Sequence, residues 1–155
     1  MSEDRYTFSN LISFLIELEE KITEFYRAAA EKVIQDELRE TFLSFSREDS
    51  KHKNSLSKVR RETVVEMSLE PITGLKLEER FLLINSVLKD NSLNDLKKAL
   101  ALEEMMQELY ITASKRVIYI SADMSVLMDG LSEDNSRRKV YIDRALYKLT
   151  STLLS

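Results

Sequence analysis

The sequence contains no cysteine, no tryptophan, a single histidine, one proline and two glycines among 155 residues. Without cysteine there is no disulfide scaffold, no thiolate-held zinc or iron–sulfur centre, and no thiol nucleophile. All-β folds need turn residues every dozen positions or fewer, so three chain breakers are too few to build one. Charge of one sign is also missing. The 23 basic and 27 acidic residues give a net charge of −4 and a pI near 5.2. No cationic excess is available to displace counterions, so nucleic acid is not an expected partner. No apolar run approaches the roughly 18 residues that span a bilayer, so no membrane partner is expected either. The opening residues Met1-Ser2-Glu3-Asp4-Arg5 lack the basic-then-apolar pattern of a secretory signal. The composition therefore leads us to expect a helical cytoplasmic protein forming a single domain over 1–155.

The helical periodicity predicts two hairpins and a crossover. A first helix starts from an N-cap at Thr7 or Ser9 and reaches about Ile34. A polar link at Gln35 to Glu37 precedes a second helix, which continues to about Met67. Pro71-Ile72-Thr73-Gly74 marks the one break, and a short amphipathic helix follows over Leu77 to Lys89, burying Leu77, Phe81, Ile84 and Leu88. Asn91 and Ser92 are the expected caps of a third helix reaching about Ile120. A fourth begins between Ser121 and Ser125, accepts Gly130, and is expected to fray after Leu149. In outline, hairpins over 8–67 and 92–150 flank a crossover over 68–91.

The apolar stripes of these helices match one another. Ile12, Leu15, Glu19, Ile22, Tyr26, Ala29 and Val33 are spaced by three and four, and Leu96, Ala99, Glu103, Met106, Tyr110, Ala113 and Val117 follow, each 84 residues on. Leu38, Phe42, Phe45, Asp49, His52, Leu56 and Val59 reappear 86 residues on as Met124, Met128, Leu131, Asn135, Arg138, Ile142 and Ala145. This pattern is read as an internal duplication of a helical hairpin. Together with the long second-to-third connection, it predicts an all-α four-helix bundle with a short helix in the crossover.

Each stripe is interrupted by polar residues at one level. Glu19 lies 17 residues before a first link centred at residue 36, and Asp49 and His52 lie 13 and 16 after it. At about 1.5 Å per residue, all three stand roughly 20–25 Å from the turn. Glu103, Asn135 and Arg138 occupy the matching depth in the second hairpin. A buried carboxylate must be paired, protonated or metal-bound. Asp49 and His52, three apart, share a helix face and can ligate one ion, which Glu19 could complete as a site for iron, manganese or zinc.

Glu19-x5-Phe25-Tyr26, Asp49-x-x-His52 and Glu103 with Tyr110 resemble the rubrerythrin and ferritin-like di-iron carboxylate family. The resemblance extends over nearly the whole chain, and it implies a ferritin-like bundle with a metal centre that handles oxygen, peroxide or iron. Departures are equally specific. Asp49 stands where the family has Glu, and Asn135-x-x-Arg138 replaces the second Glu-x-x-His. Arg stays protonated and cannot ligate a metal. Met106 fills a slot often held by Glu, and no rubredoxin-like cysteine cluster is present. Glu19, Asp49 and Glu103 contribute −3, Arg138 +1 and one divalent ion +2, which sums to zero with His52 neutral.

The expectation is one iron or manganese ion on Glu19, Asp49 and His52, with Glu103 either bridging to it or paired with Arg138. Tyr26 and Tyr110 are expected as core rings with hydroxyls bonded to the carboxylates rather than as redox residues, and Glu48 is an alternative ligand. Residual oxidase, peroxidase or iron-handling activity is one functional expectation. A metal-free structural bundle, in which His52 is a hydrogen-bonded core residue, is the other. A homodimer is expected in either case.

Overall fold

The computed structural model describes residues 5–62 and 71–154. Continuation of the second helix to Met67 lies outside the described residues. Among these, the chain is helical apart from one short strand pair, and it divides after Thr73 into two compact units.

The first unit is a hairpin of α1 (Phe8–Lys32) and α2 (Asp36–Glu62). Thr7 is the cap of α1. It is extended, and its hydroxyl accepts a hydrogen bond from the Asn10 N–H at 3.0 Å, satisfying one of the donors a helix start leaves open. The helix stops slightly earlier than its periodicity predicts, because Val33 is already extended and its N–H closes the last turn on the Ala29 carbonyl. Arg39 secures the link: its guanidinium donates to the Val33 carbonyl at 2.9 Å and to Asp36 at 2.7 Å. Further along, Lys53 reaches Glu20 at 3.4 Å and Arg60 donates to Ser13 at 3.1 Å, so the two helices run antiparallel.

Two strands that the helical reading overlooked tie the ends of this unit together. Residues Arg5–Tyr6 (β1) pair antiparallel with Ile72–Thr73 (β2), with Arg5 opposite Thr73 and Tyr6 opposite Ile72. Ile72 is buried there. Two residues per strand carry no measurable period, which is why the sequence pattern does not announce them.

The second unit contains α3 (Leu77–Lys89), α4 (Asp95–Val117) and α5 (Ala122–Leu154). It opens at Gly74, whose φ of 81° is in the left-handed region; an added Cβ would also lie 2.7 Å from the Arg116 guanidinium. Helix α3 has the predicted boundaries and buries Leu77 and Ile84, but Phe81 and Leu88 are only half-buried. The expected cap at Asn91 or Ser92 is corrected to Asn94, whose side chain accepts from the Lys97 N–H at 2.9 Å. Ser92 instead donates through its hydroxyl and its N–H to the Asp90 carboxylate, and these bonds hold that carboxyl below its ordinary range. At the α4–α5 turn, the Ser121 hydroxyl accepts from the Met124 N–H at 3.2 Å, and Ser114 and Ser125 hydroxyls meet at 2.8 Å across the hairpin. Helix α5 persists to Leu154, so the fraying expected after Leu149 is not seen.

The stripes read from the sequence are the inward faces of these helices. Every stripe residue is buried except Val33, Leu38, Val59 and Ala145, which are half-buried and stand at the stripe ends. No helix among the described residues is long and apolar enough to cross a membrane.

The corrected cap gives a direct prediction. Asn94→Ala should cost about 1 kcal/mol of stability, whereas Asn91→Ala, an exposed turn residue, should fall within about 0.5 kcal/mol of wild type. Urea unfolding of the two variants distinguishes Asn94 from Asn91 as the cap.

Candidate metal centre

In the first unit, Glu19 is the one charged residue in an α1 stripe that otherwise runs Ile12, Leu15, Ile22, Tyr26 and Ala29. Across the hairpin, Asp49 and His52 occupy one face of α2 between Phe45 and Leu56. Antiparallel packing brings the three side chains together. His52 Nδ1 lies 3.5 Å from Glu19 Oε1 and 3.6 Å from Asp49 Oδ1, outside ordinary N–H···O hydrogen-bond length. One ligand atom from each of the three falls within 4.8 Å of the other two, and the residues are only 2% (Glu19), 1% (Asp49) and 5% (His52) exposed. Glu48, the alternative ligand on α2, is half-buried.

The surroundings are apolar and aromatic. Tyr26, two helical turns beyond Glu19, is fully buried with its ring 5.2 Å from Phe25, 5.3 Å from Phe45 and 5.6 Å from Phe42. The burial of its ring matches the expected core position. Phe42 and Phe45 thus pack on Tyr26 as well as filling the α2 stripe, a cross-helix contact that sequence spacing within one helix does not show. One turn before Tyr26, the Thr23 hydroxyl donates to the Glu19 carbonyl at 2.8 Å, binding the hydroxyl to its own helix.

The second unit solves the same burial problem with its own side chains. Glu103 and Arg138 are both wholly buried. Arg138 Nη1 donates to Glu103 Oε1 at 2.7 Å, and Asn135 Nδ2 donates to Glu103 Oε2 at 3.0 Å. Both carboxylate oxygens are therefore engaged within this cluster. Of the two roles expected for Glu103, the structure shows the pairing with Arg138. Asn135 Oδ1 is buried and accepts no hydrogen bond among the described residues. Tyr110 is buried in the α4 stripe, as Tyr26 is in α1.

The donor chemistry of the two clusters differs accordingly. Two carboxylates and an imidazole form a hard-to-borderline set that suits divalent iron, manganese or zinc. Glu19, Asp49 and neutral His52 carry −2, which one divalent ion cancels. Glu103 and Arg138 already sum to zero, and Arg138 offers no lone pair to a metal. The residues of the first unit fit an ion and those of the second do not.

Arg138→Leu should therefore destabilise the chain by about 3–5 kcal/mol, because it leaves Glu103 buried without its cation. Glu103→Leu with Arg138→Leu should recover most of that loss, since an apolar pair asks for no solvation. Denaturant unfolding of both single variants and the double variant measures the coupling. Equal additive losses would show that the ion pair does not act as a unit.

Comparison with protein-family models, with curated proteins and with solved structures finds no match for the chain.

Proposed function

We propose that the chain is a divergent ferritin-like protein, derived from a duplicated hairpin, that binds one divalent transition-metal ion, iron or manganese, on Glu19, Asp49 and His52. The observation that carries this reading is the meeting of three buried donor groups from two helices, with ligand atoms within 4.8 Å of one another. Matching stripes at offsets of 84 and 86 residues support the duplication. When bound, the ion would supply Lewis acidity and, for iron or manganese, one-electron redox chemistry. The protein's part is distinct. Glu19 and Asp49 provide the neutralising charge, His52 the nitrogen donor, and Tyr26 with Phe42 and Phe45 an apolar wall against water.

The second hairpin supports a single ion rather than two. Its cluster is occupied by its own cation, and both oxygens of Glu103 are already used. In this reading Arg138 replaces a metal as the neutralising charge. Residual oxidase, peroxidase or iron-handling chemistry then belongs to a mononuclear site.

One observation favours a second reading, a metal-free structural bundle. His52 Nδ1 stands almost equally far from Glu19 and Asp49, at 3.5 and 3.6 Å. A protonated His52 there would reduce the cluster from −2 to −1 without any ion.

Metal content separates the two. Protein loaded anaerobically with ferrous iron and freed of excess should retain one ion per chain by elemental analysis, and His52→Ala should retain none. Asn135→Glu with Arg138→His should gain a second ion, because it removes the resident cation and adds two ligands beside Glu103. Wild type that retains no ion establishes the structural reading. Two ions per wild-type chain would contradict both.

A further inference from the structure

The outer seam between α1 and α2 carries a feature that the metal site does not use. A groove of about 590 Å³ opens there, lined by Arg27 and Glu31 from α1 and by Arg47 and Lys51, among others, from α2. Leu43 supplies an apolar patch, and Ser46 and Ser50, from the same turns of α2 that carry Asp49, complete the lining. In a chain of net charge −4, this groove sums to +3 from Arg27, Arg47 and Lys51 and −1 from Glu31, hence +2.

Several cations elsewhere are paired: Arg39 with Asp36, Lys53 with Glu20, Arg80 with Glu108, Arg137 with Asp134 and Arg138 with Glu103. Among the described residues, no ion pair joins Arg27, Arg47 or Lys51 to an acid. Arg47 and Lys51 also stand one helical turn apart, where like charges repel. Folding of a hairpin does not require this arrangement. At the corresponding stripe offsets, the second hairpin keeps both hydroxyls, as Ser132 and Ser136, but has Ile111 in place of Arg27 and Glu133 in place of Arg47. Lys51 corresponds to Arg137, which is paired with Asp134 at 3.6 Å.

We propose that this groove binds a small-molecule phosphomonoester. Its phosphate, close to a dianion at neutral pH, matches the groove's charge of +2. Guanidinium forks from two helices engage phosphate oxygens in pairs, Lys51 adds a point charge, and serine hydroxyls complete the donor set. The volume exceeds that of the phosphate alone, and Leu43 gives the organic part an apolar surface. This assignment is independent of the metal.

Calorimetric titration of the full chain with phenyl phosphate at low ionic strength tests the proposal. Saturable one-to-one binding is expected, with phenyl sulfate, the singly charged isostere, at least about tenfold weaker. Arg27→Gln with Arg47→Gln, or Lys51→Gln alone, should weaken binding by about tenfold or more, and Glu31→Gln should tighten it. Arg144→Gln, an exposed cation on α5, should leave it unchanged. Absence of saturable binding, equal affinity for the sulfate, or indifference to the groove substitutions would overturn the proposal. A phosphoserine peptide that outcompetes phenyl phosphate by more than about tenfold would overturn the small-molecule assignment.

Discussion

A carboxylate set into the apolar seam of a helical hairpin has to be neutralised where it stands. That requirement organises both halves of this chain. Burying an unpaired ionised carboxyl costs several kcal/mol, a large share of the net stability of a domain this size. Glu103 meets the requirement completely: one oxygen accepts from Arg138 at 2.7 Å and the other from Asn135 at 3.0 Å. The pair is flanked by Ala99 and Met106 along the α4 stripe and by Leu131 and Ile142 along the α5 stripe, all buried, so its strength comes from a setting with little water to compete.

The first hairpin places two carboxylates, Glu19 and Asp49, at the corresponding level with the His52 imidazole beside both. His52 approaches both acids at distances longer than a hydrogen bond, and its proton could cancel only half of their charge. In the proposed reading the two clusters are alternative solutions to one electrostatic problem, the second met by Arg138 and Asn135 and the first by an ion. The groove on the far side of the same α2 turns adds a contrast in sign, with cations gathered outside and anions inside a single stretch from Ser46 to His52. Residues four apart fall on one helix face and residues two apart on nearly opposite ones, so Arg47 and Lys51 can face outward while Asp49 faces in.

Much of this was legible in the residues. Spacings of three and four mark the buried faces of four helices, and they put Glu19, Asp49, His52, Glu103, Asn135 and Arg138 on those faces, where all six are buried. Helix α3 was legible to its end residues. What escaped depended on contacts without a period. The β1–β2 pair joins residues 5–6 to 72–73 with two residues per strand. The true α4 cap, Asn94, competed with Asn91 and Ser92, and only the Ser92 bonds to Asp90 show why those residues form the preceding turn. The packing of Phe42 and Phe45 on Tyr26, and the meeting of Arg27 with Arg47 and Lys51, depend on how one helix lies along another.

The central claim is that the charge on Glu19 and Asp49 is balanced by one divalent ion. Its most direct measurement is a titration of the metal-free chain with manganous ion, followed by the paramagnetic resonance signal of the free ion. The account predicts that the free signal stays suppressed up to one equivalent and then grows in step with added metal, and that Asp49→Asn removes the suppression. A free signal that grows from the first addition in the wild-type chain would contradict it, as would suppression that continues to a second equivalent.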